Sequence, residues 1–121
     1  MRTGPNASLA GMAYDEQLAN EIRELLADQG AVTEKRMFGG LAFLLHGHMA
    51  VAASRRGGVL VRVNAAESAD LVAASGVERM VMGGREMENW LYVDPNQVRT
   101  RRDLAAWVER GAAFAATLSP K

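Results

Sequence analysis

Residues 35–53 read KRMFGGLAFLLHGHMAVAA, and this stretch decides the fold. Lys35 to Phe38, Leu41 to Leu45 and His48 to Ala53 are short apolar runs, separated by Gly39-Gly40 and by His46-Gly47. Glycine-containing pairs between such runs are tight hairpin signals, because a two-residue turn with the right twist needs positive φ. The reading is a β-meander. Turn chemistry alone accounts for Gly39-Gly40, with Phe38 beside it expected to pack into the core. Arg55 to Gly58 predicts a third turn, and Val59 to Val63 a further strand whose β-branched residues suit a pleated surface.

Working outward, Asp15 can cap a helix that carries Leu18, Ile22, Leu25 and Leu26 on one face, with Gly30 as its expected stop. Downstream, Asn64 and Glu67 have the spacing of an N-cap and its reciprocal acid, predicting a short helix through Leu71 and Val72 that ends before Gly76. Arg79 to Met82, Gly83-Gly84 and Asn89 to Val93 repeat the strand, glycine pair, strand grammar, and Asp94-Pro95 ends it. Thr100 to Asp103 predicts the cap of a last helix with Leu104, Trp107, Val108, Ala112, Ala115 and Leu118 on one face, and Ser119-Pro120 closes it. The expected architecture is α+β, a two-layer sandwich. Its antiparallel sheet of about five to six strands carries the N- and C-terminal helices on one face, because consecutive hairpins leave no room for parallel crossovers.

The chain of 121 residues, 49% apolar, is enough for one compact core. Residues 1–13 are small, polar and without period, and read as a flexible tail in which Met12 is a candidate start of translation. The expected domain is 14–119. Fourteen Lys plus Arg balance fourteen Asp plus Glu, so no global field draws the protein to nucleic acid or anionic lipid, and any such binding is local. Cysteine is absent, which excludes disulfides, thiolate catalysis and zinc sites built on sulfur. No apolar run reaches the roughly 18 to 20 residues of a membrane span, and Met1 to Gly11 lacks the apolar segment of a secretory signal. The expected location is the cytoplasm.

Candidate chemistry is sparse. His46 and His48 resemble a metal pair but lack a third ligand. The serines sit in no nucleophile elbow, and Glu86 and Glu88 adjoin a turn, so the reading has no catalytic residues, no metal and no cofactor. No Gly-Lys-Ser follows Gly39-Gly40, which excludes a nucleotide P-loop. The backbone amides of that turn, with Arg36 as charge partner, remain a candidate anion or peptide site. Nucleic-acid contact would rest on Arg55, Arg56, Arg99, Arg101 and Arg102, with Trp90 and Tyr92 as stacking partners. Alternation puts Trp90 and Tyr92 on one strand face, where the expectation is that they meet the core helices. Met80, Met82 and Met87 could form an adaptable apolar groove. A sheet covered on one side leaves its other face, with apolar groups from Leu41 to Leu45 and Met49 to Ala53, for homodimerisation or a protein partner.

Arg36-Met37-Phe38-Gly39-Gly40, then Leu41-Ala42-Phe43 and His46-Gly47-His48-Met49-Ala50, resemble the TfoX N-terminal domain family, the R-M-F-G-G block being the most specific element. Leu60-Val61 with Val63, Met82-Gly83-Gly84-Arg85, Trp90-Leu91-Tyr92-Val93 and Leu104-Ala105-Ala106-Trp107-Val108 extend the likeness from Tyr14 to Leu118. The resemblance implies a fold like that of the YjbR and secretion-chaperone-like domains. It also implies a link to the competence regulator TfoX, or Sxy, associated with transcription of DNA-uptake genes alongside the cyclic-AMP receptor protein. That regulator carries a second, C-terminal helical domain, and this chain stops before one could begin. The functional expectation is a non-enzymatic, transcription-associated regulatory or protein-interaction domain with Arg36, Met37, Phe38, Gly39 and Gly40 as its candidate motif. The alternatives are direct nucleic-acid binding and, third, a small-ligand or enzymatic domain.

Overall fold

The structure, a computed structural model, describes residues 14–30, 32–37, 39–73 and 76–118. The expected 1–13 tail, the packing of Phe38 and the Ser119-Pro120 stop lie outside the described residues. Helix α1 spans Glu16–Leu25, and Asp15 Oδ1 accepts the Leu18 amide at 3.1 Å, as its capping role requires. The helix ends well before Gly30 because its apolar stripe runs out at Leu26. Gly30 stands at φ 86 after a looser turn.

Strands β1 (Val32–Met37), β2 (Gly40–Leu45), β3 (His48–Ala53) and β4 (Val59–Arg62) form the expected meander. Helix α2 (Ala65–Leu71) follows, capped by Asn64, whose side chain accepts the Glu67 amide at 2.7 Å. Strands β5 (Val77–Met82) and β6 (Arg85–Val93), a 3-10 turn over Pro95–Val98 and helix α3 (Arg101–Ala116) complete the fold. Thr100 caps α3 through the Asp103 amide.

The six strands lie in the order β1-β2-β3-β4-β6-β5, and every paired neighbour is antiparallel. The last hairpin nevertheless enters the sheet reversed. β6, not β5, pairs with β4, matching Val59 with Val93 and Val61 with Leu91. β4 and β5 therefore run parallel with β6 between them, joined by a crossover through α2, which the expectation of hairpins throughout did not contain. Ser68, fully buried on α2, fastens that crossover: its Oγ accepts from Arg79 Nε and Nη2, each at 3.3 Å. Arg79 also reaches Glu86 at 3.6 Å.

Parity along the strands divides the side chains into two sets. Leu41, Phe43, Leu45, Val51, Val59, Val61, Leu91 and Val93 point to the helical layer and pack with Ile22, Leu26, Leu104, Val108 and Ala115. A bulge interrupts this order in β3: Phe43 pairs with Val51 and Leu44 with Met49, leaving Ala50 between them. Helix α3 crosses at that point with Gly111, where a Cβ would lie 2.2 Å from the Ala50 carbonyl oxygen.

At the outer edge, Arg23 of α1 forks onto Glu34 of β1, with Nε to Oε2 at 2.5 Å and Nη2 to Oε1 at 2.8 Å. The hydrogen bond from Arg23 holds the Glu34 carboxyl below its ordinary value and raises the guanidinium. A depressed carboxylate contributes stability above the ordinary carboxylate range and loses it as pH falls through the depressed value. Both side chains are partly exposed, so screening keeps the contribution small. Glu34→Gln is expected to cost about 0.5 kcal/mol near neutrality. Urea melts of the two proteins should converge once pH is low enough to protonate Glu34.

Candidate functional site

Each strand that gives one set of residues to the helices gives the other to the opposite face. Ala42, Met49, Ala52, Leu60 and Tyr92 are buried there as a second apolar cluster, with half-buried Met37, Leu44, Met80 and Trp90 packed around them. Among the described residues, no helix residue belongs to this cluster. Trp90 and Tyr92 share one side of β6 as alternation demands, but it is the side turned away from the helices, because Leu91 and Val93 take the helical face. The expectation that the two aromatics meet the core helices is corrected accordingly.

Of the R-M-F-G-G residues, Arg36, Met37, Gly39 and Gly40 stand at the β1–β2 corner. Arg36 is exposed, with no ion pair to a described residue; Met37 flanks the second cluster. Gly39 adopts φ 77, and a Cβ on it would meet Arg55 Cδ at 2.6 Å. Gly40 is buried at the start of β2, where a Cβ would strike the Ala53 carbonyl oxygen at 2.1 Å. The motif's glycines thus serve the turn and close passage of neighbouring chain, Gly39 beneath Arg55 and Gly40 against β3.

Arg55 and Arg56 stand together on the β3–β4 turn, both exposed. Arg56 is held: its amide donates to Ser54 Oγ at 3.0 Å, its guanidinium lies 4.0 Å from the Tyr92 ring centroid, and Tyr92 Oη donates to its carbonyl at 3.4 Å. Burial pushes the Tyr92 phenol up. Of the arginines before and at the start of α3, Arg99 shares a recess with Gly57 of the β3–β4 turn, with Asp15 and with Glu21 of α1, and Arg101 Nη1 donates to Glu24 at 3.0 Å.

The two histidines flank the β2–β3 turn. His46 is exposed at φ 52, and His48 is half-buried opposite Leu45. Among the described residues no three His, Cys, Asp or Glu side chains gather as a metal-holding group. The buried hydroxyls are engaged structurally, Ser54 by the Arg56 amide and Ser68 by Arg79.

Sequence reasoning passed over Arg62. Its guanidinium lies 5.1 Å from the Trp90 centroid and 5.5 Å from that of Phe114, and its Nε is buried without a hydrogen-bond partner among the described residues. Burial lowers its pKa. The available signal was an arginine between Val61 and Val63, but only the pairing with Trp90 shows the aromatic pocket it enters.

No curated protein and no solved structure matches the chain. The family model of the TfoX N-terminal domain matches residues 24–115, from the second half of α1 almost to the end of α3. The match takes in all six strands and the R-M-F-G-G corner, and the chain belongs to the TfoX N-terminal domain family.

Proposed function

We propose that this chain is a non-enzymatic, transcription-associated regulatory domain that works by presenting the sheet face turned away from α1 and α3, with the adjoining Arg36–Gly40 edge, to a protein partner. The observation that carries this reading is the second apolar cluster. Met37, Leu44, Met80 and Trp90 stand half-buried around it, although its five buried members already exclude water from their own side chains. Apolar surface that is grouped on one face, rather than scattered, is the usual mark of an interaction site. Direct nucleic-acid binding has weaker support, because Asp15 and Glu21 line the recess that holds Arg99, and Glu24 accepts from Arg101.

Leu44→Glu places a charge within that half-buried rim. It is expected to release whichever protein co-purifies with the native chain, while the circular-dichroism spectrum stays that of the parent. Retention of the partner by a folded Leu44→Glu protein would remove the face from the interaction. A salt titration against duplex DNA separates the other reading, since phosphate binding must weaken steeply with salt.

A further inference from the structure

We propose that the groove between the Ser54–Gly58 turn and β5 is a docking site for an extended peptide segment carrying a carboxylate next to an apolar side chain. This rests on the protein-interaction reading and gives the partner its chemistry. The groove encloses about 260 Å³, and its floor is Leu60, Tyr92 and Met80, with Val81 on one wall and Arg55 and Arg56 at the mouth.

Among the described residues β5 is an edge strand, with β6 as its one sheet partner. An edge is a template for an added strand unless charge or proline blunts it. The other edge is blunted by Glu34, Lys35 and Arg36 in β1. β5 carries charge in its first half, at Glu78 and Arg79, but none over Met80-Val81-Met82, and Val81 at 63% and Met82 at 37% are the large hydrophobics left exposed among the described residues.

Charge complementarity supplies the second half of the recognition. Three arginines, Arg55, Arg56 and Arg79, line the groove against one carboxylate, Glu78; Arg79 is engaged by Ser68 and Glu86, and the 3.8 Å approach of Glu78 to Arg56 is between exposed groups and so weakly neutralising. Arg56 is held over Tyr92, and Arg55 lies in the lane left open by the missing side chain of Gly39. The motif glycine is thereby a positioning residue for an anion-facing arginine. Planar guanidinium forks match a carboxylate. A nucleic acid fits less well, because Glu78 lines the groove beside Arg56 and the third lining arginine, Arg79, is held by Ser68 and Glu86.

The test is fluorescence anisotropy with a labelled Leu-Glu-Phe-Asp-Leu peptide and its counterpart with lysine for both acids. The acidic peptide is expected to bind at least about tenfold more tightly than the lysine one, and Arg55→Ala/Arg56→Ala to weaken it about tenfold. Both arginines are exposed, so this variant should fold. Gly39→Ala should weaken binding by displacing Arg55 with the groove floor untouched, and Met80→Glu should abolish it. Equal affinity for the two peptides, indifference to the arginine variant, or no binding at about 1 mM would overturn the proposal. So would displacement by an oligothymidylate with steep salt dependence. A native partner released by Leu44→Glu but not by Arg55→Ala/Arg56→Ala would also overturn the groove while leaving the interaction face standing. The reverse pattern would support the groove and leave the Leu44 side of the face outside the contact.

Discussion

Gly111→Ala is expected to lower the melting temperature by roughly 10 °C, although alanine is the better helix former. Two effects oppose each other. In the middle of α3, exchanging glycine for alanine gains about 1 kcal/mol of helix propensity. The new Cβ, however, would lie 2.2 Å from the Ala50 oxygen and 2.9 Å from its carbonyl carbon, and both are backbone atoms of the bulge in β3. Backbone cannot turn aside as a flexible side chain can. Either α3 lifts, drawing Leu104, Trp107, Val108 and Ala115 away from the sheet, or the bulge reshapes against β2. Overpacking of this kind costs typically about 1–3 kcal/mol and occasionally more, and a collision with backbone belongs at the upper end. The clash wins by about 2 kcal/mol. Differential scanning calorimetry decides it: an unchanged or raised melting temperature would mean that α3 does not rest on the bulge.

Phe43→Ala is the second large effect, expected to cost about 4 kcal/mol. The ring is fully buried in the middle of β2, against Val51 on the next strand and beneath the helical layer. It also lies 5.8 Å below the Arg23 guanidinium, so its removal takes the apolar support from the fork that grips Glu34. Against a total stability of about 5–15 kcal/mol for an ordinary domain, such a loss leaves a marginal protein. Urea denaturation should show a lower midpoint with the slope retained. Val81→Ala, at an exposed site, serves as the comparison and should stay within about 0.5 kcal/mol of the parent.

Most of the local structure is legible in single residues. His46-Gly47 and Gly83-Gly84 have positive φ at both positions, as their two-residue turns require. Asp15, Asn64 and Thr100 cap the helices they precede. These features are local, so the chemistry of a few neighbours dictates them. The exchange of β5 and β6 is not local. Both strands are partly apolar, and which one lies beside β4 depends on burying Leu91 and Val93 beneath the helices. Parity likewise shows that Trp90 and Tyr92 share a face without showing which one. The candidate motif was visible at the β1–β2 corner, but its link to Arg55 was not. That contact joins residues far apart in sequence and leaves no periodic trace.

The position of β6 also constrains the order in which the sheet can be assembled. A chain emerging from its N-terminus can close β1 through β4 one hairpin at a time, yet β5 then has nothing to join, since its sheet partner is still unmade. Until β6 arrives, β4 keeps a bare apolar edge of Val59, Leu60 and Val61. The arrival of one strand therefore completes two ladders together. Loop closure across α2 is spent in that same step, which concentrates the slow, non-local part of folding in the C-terminal half.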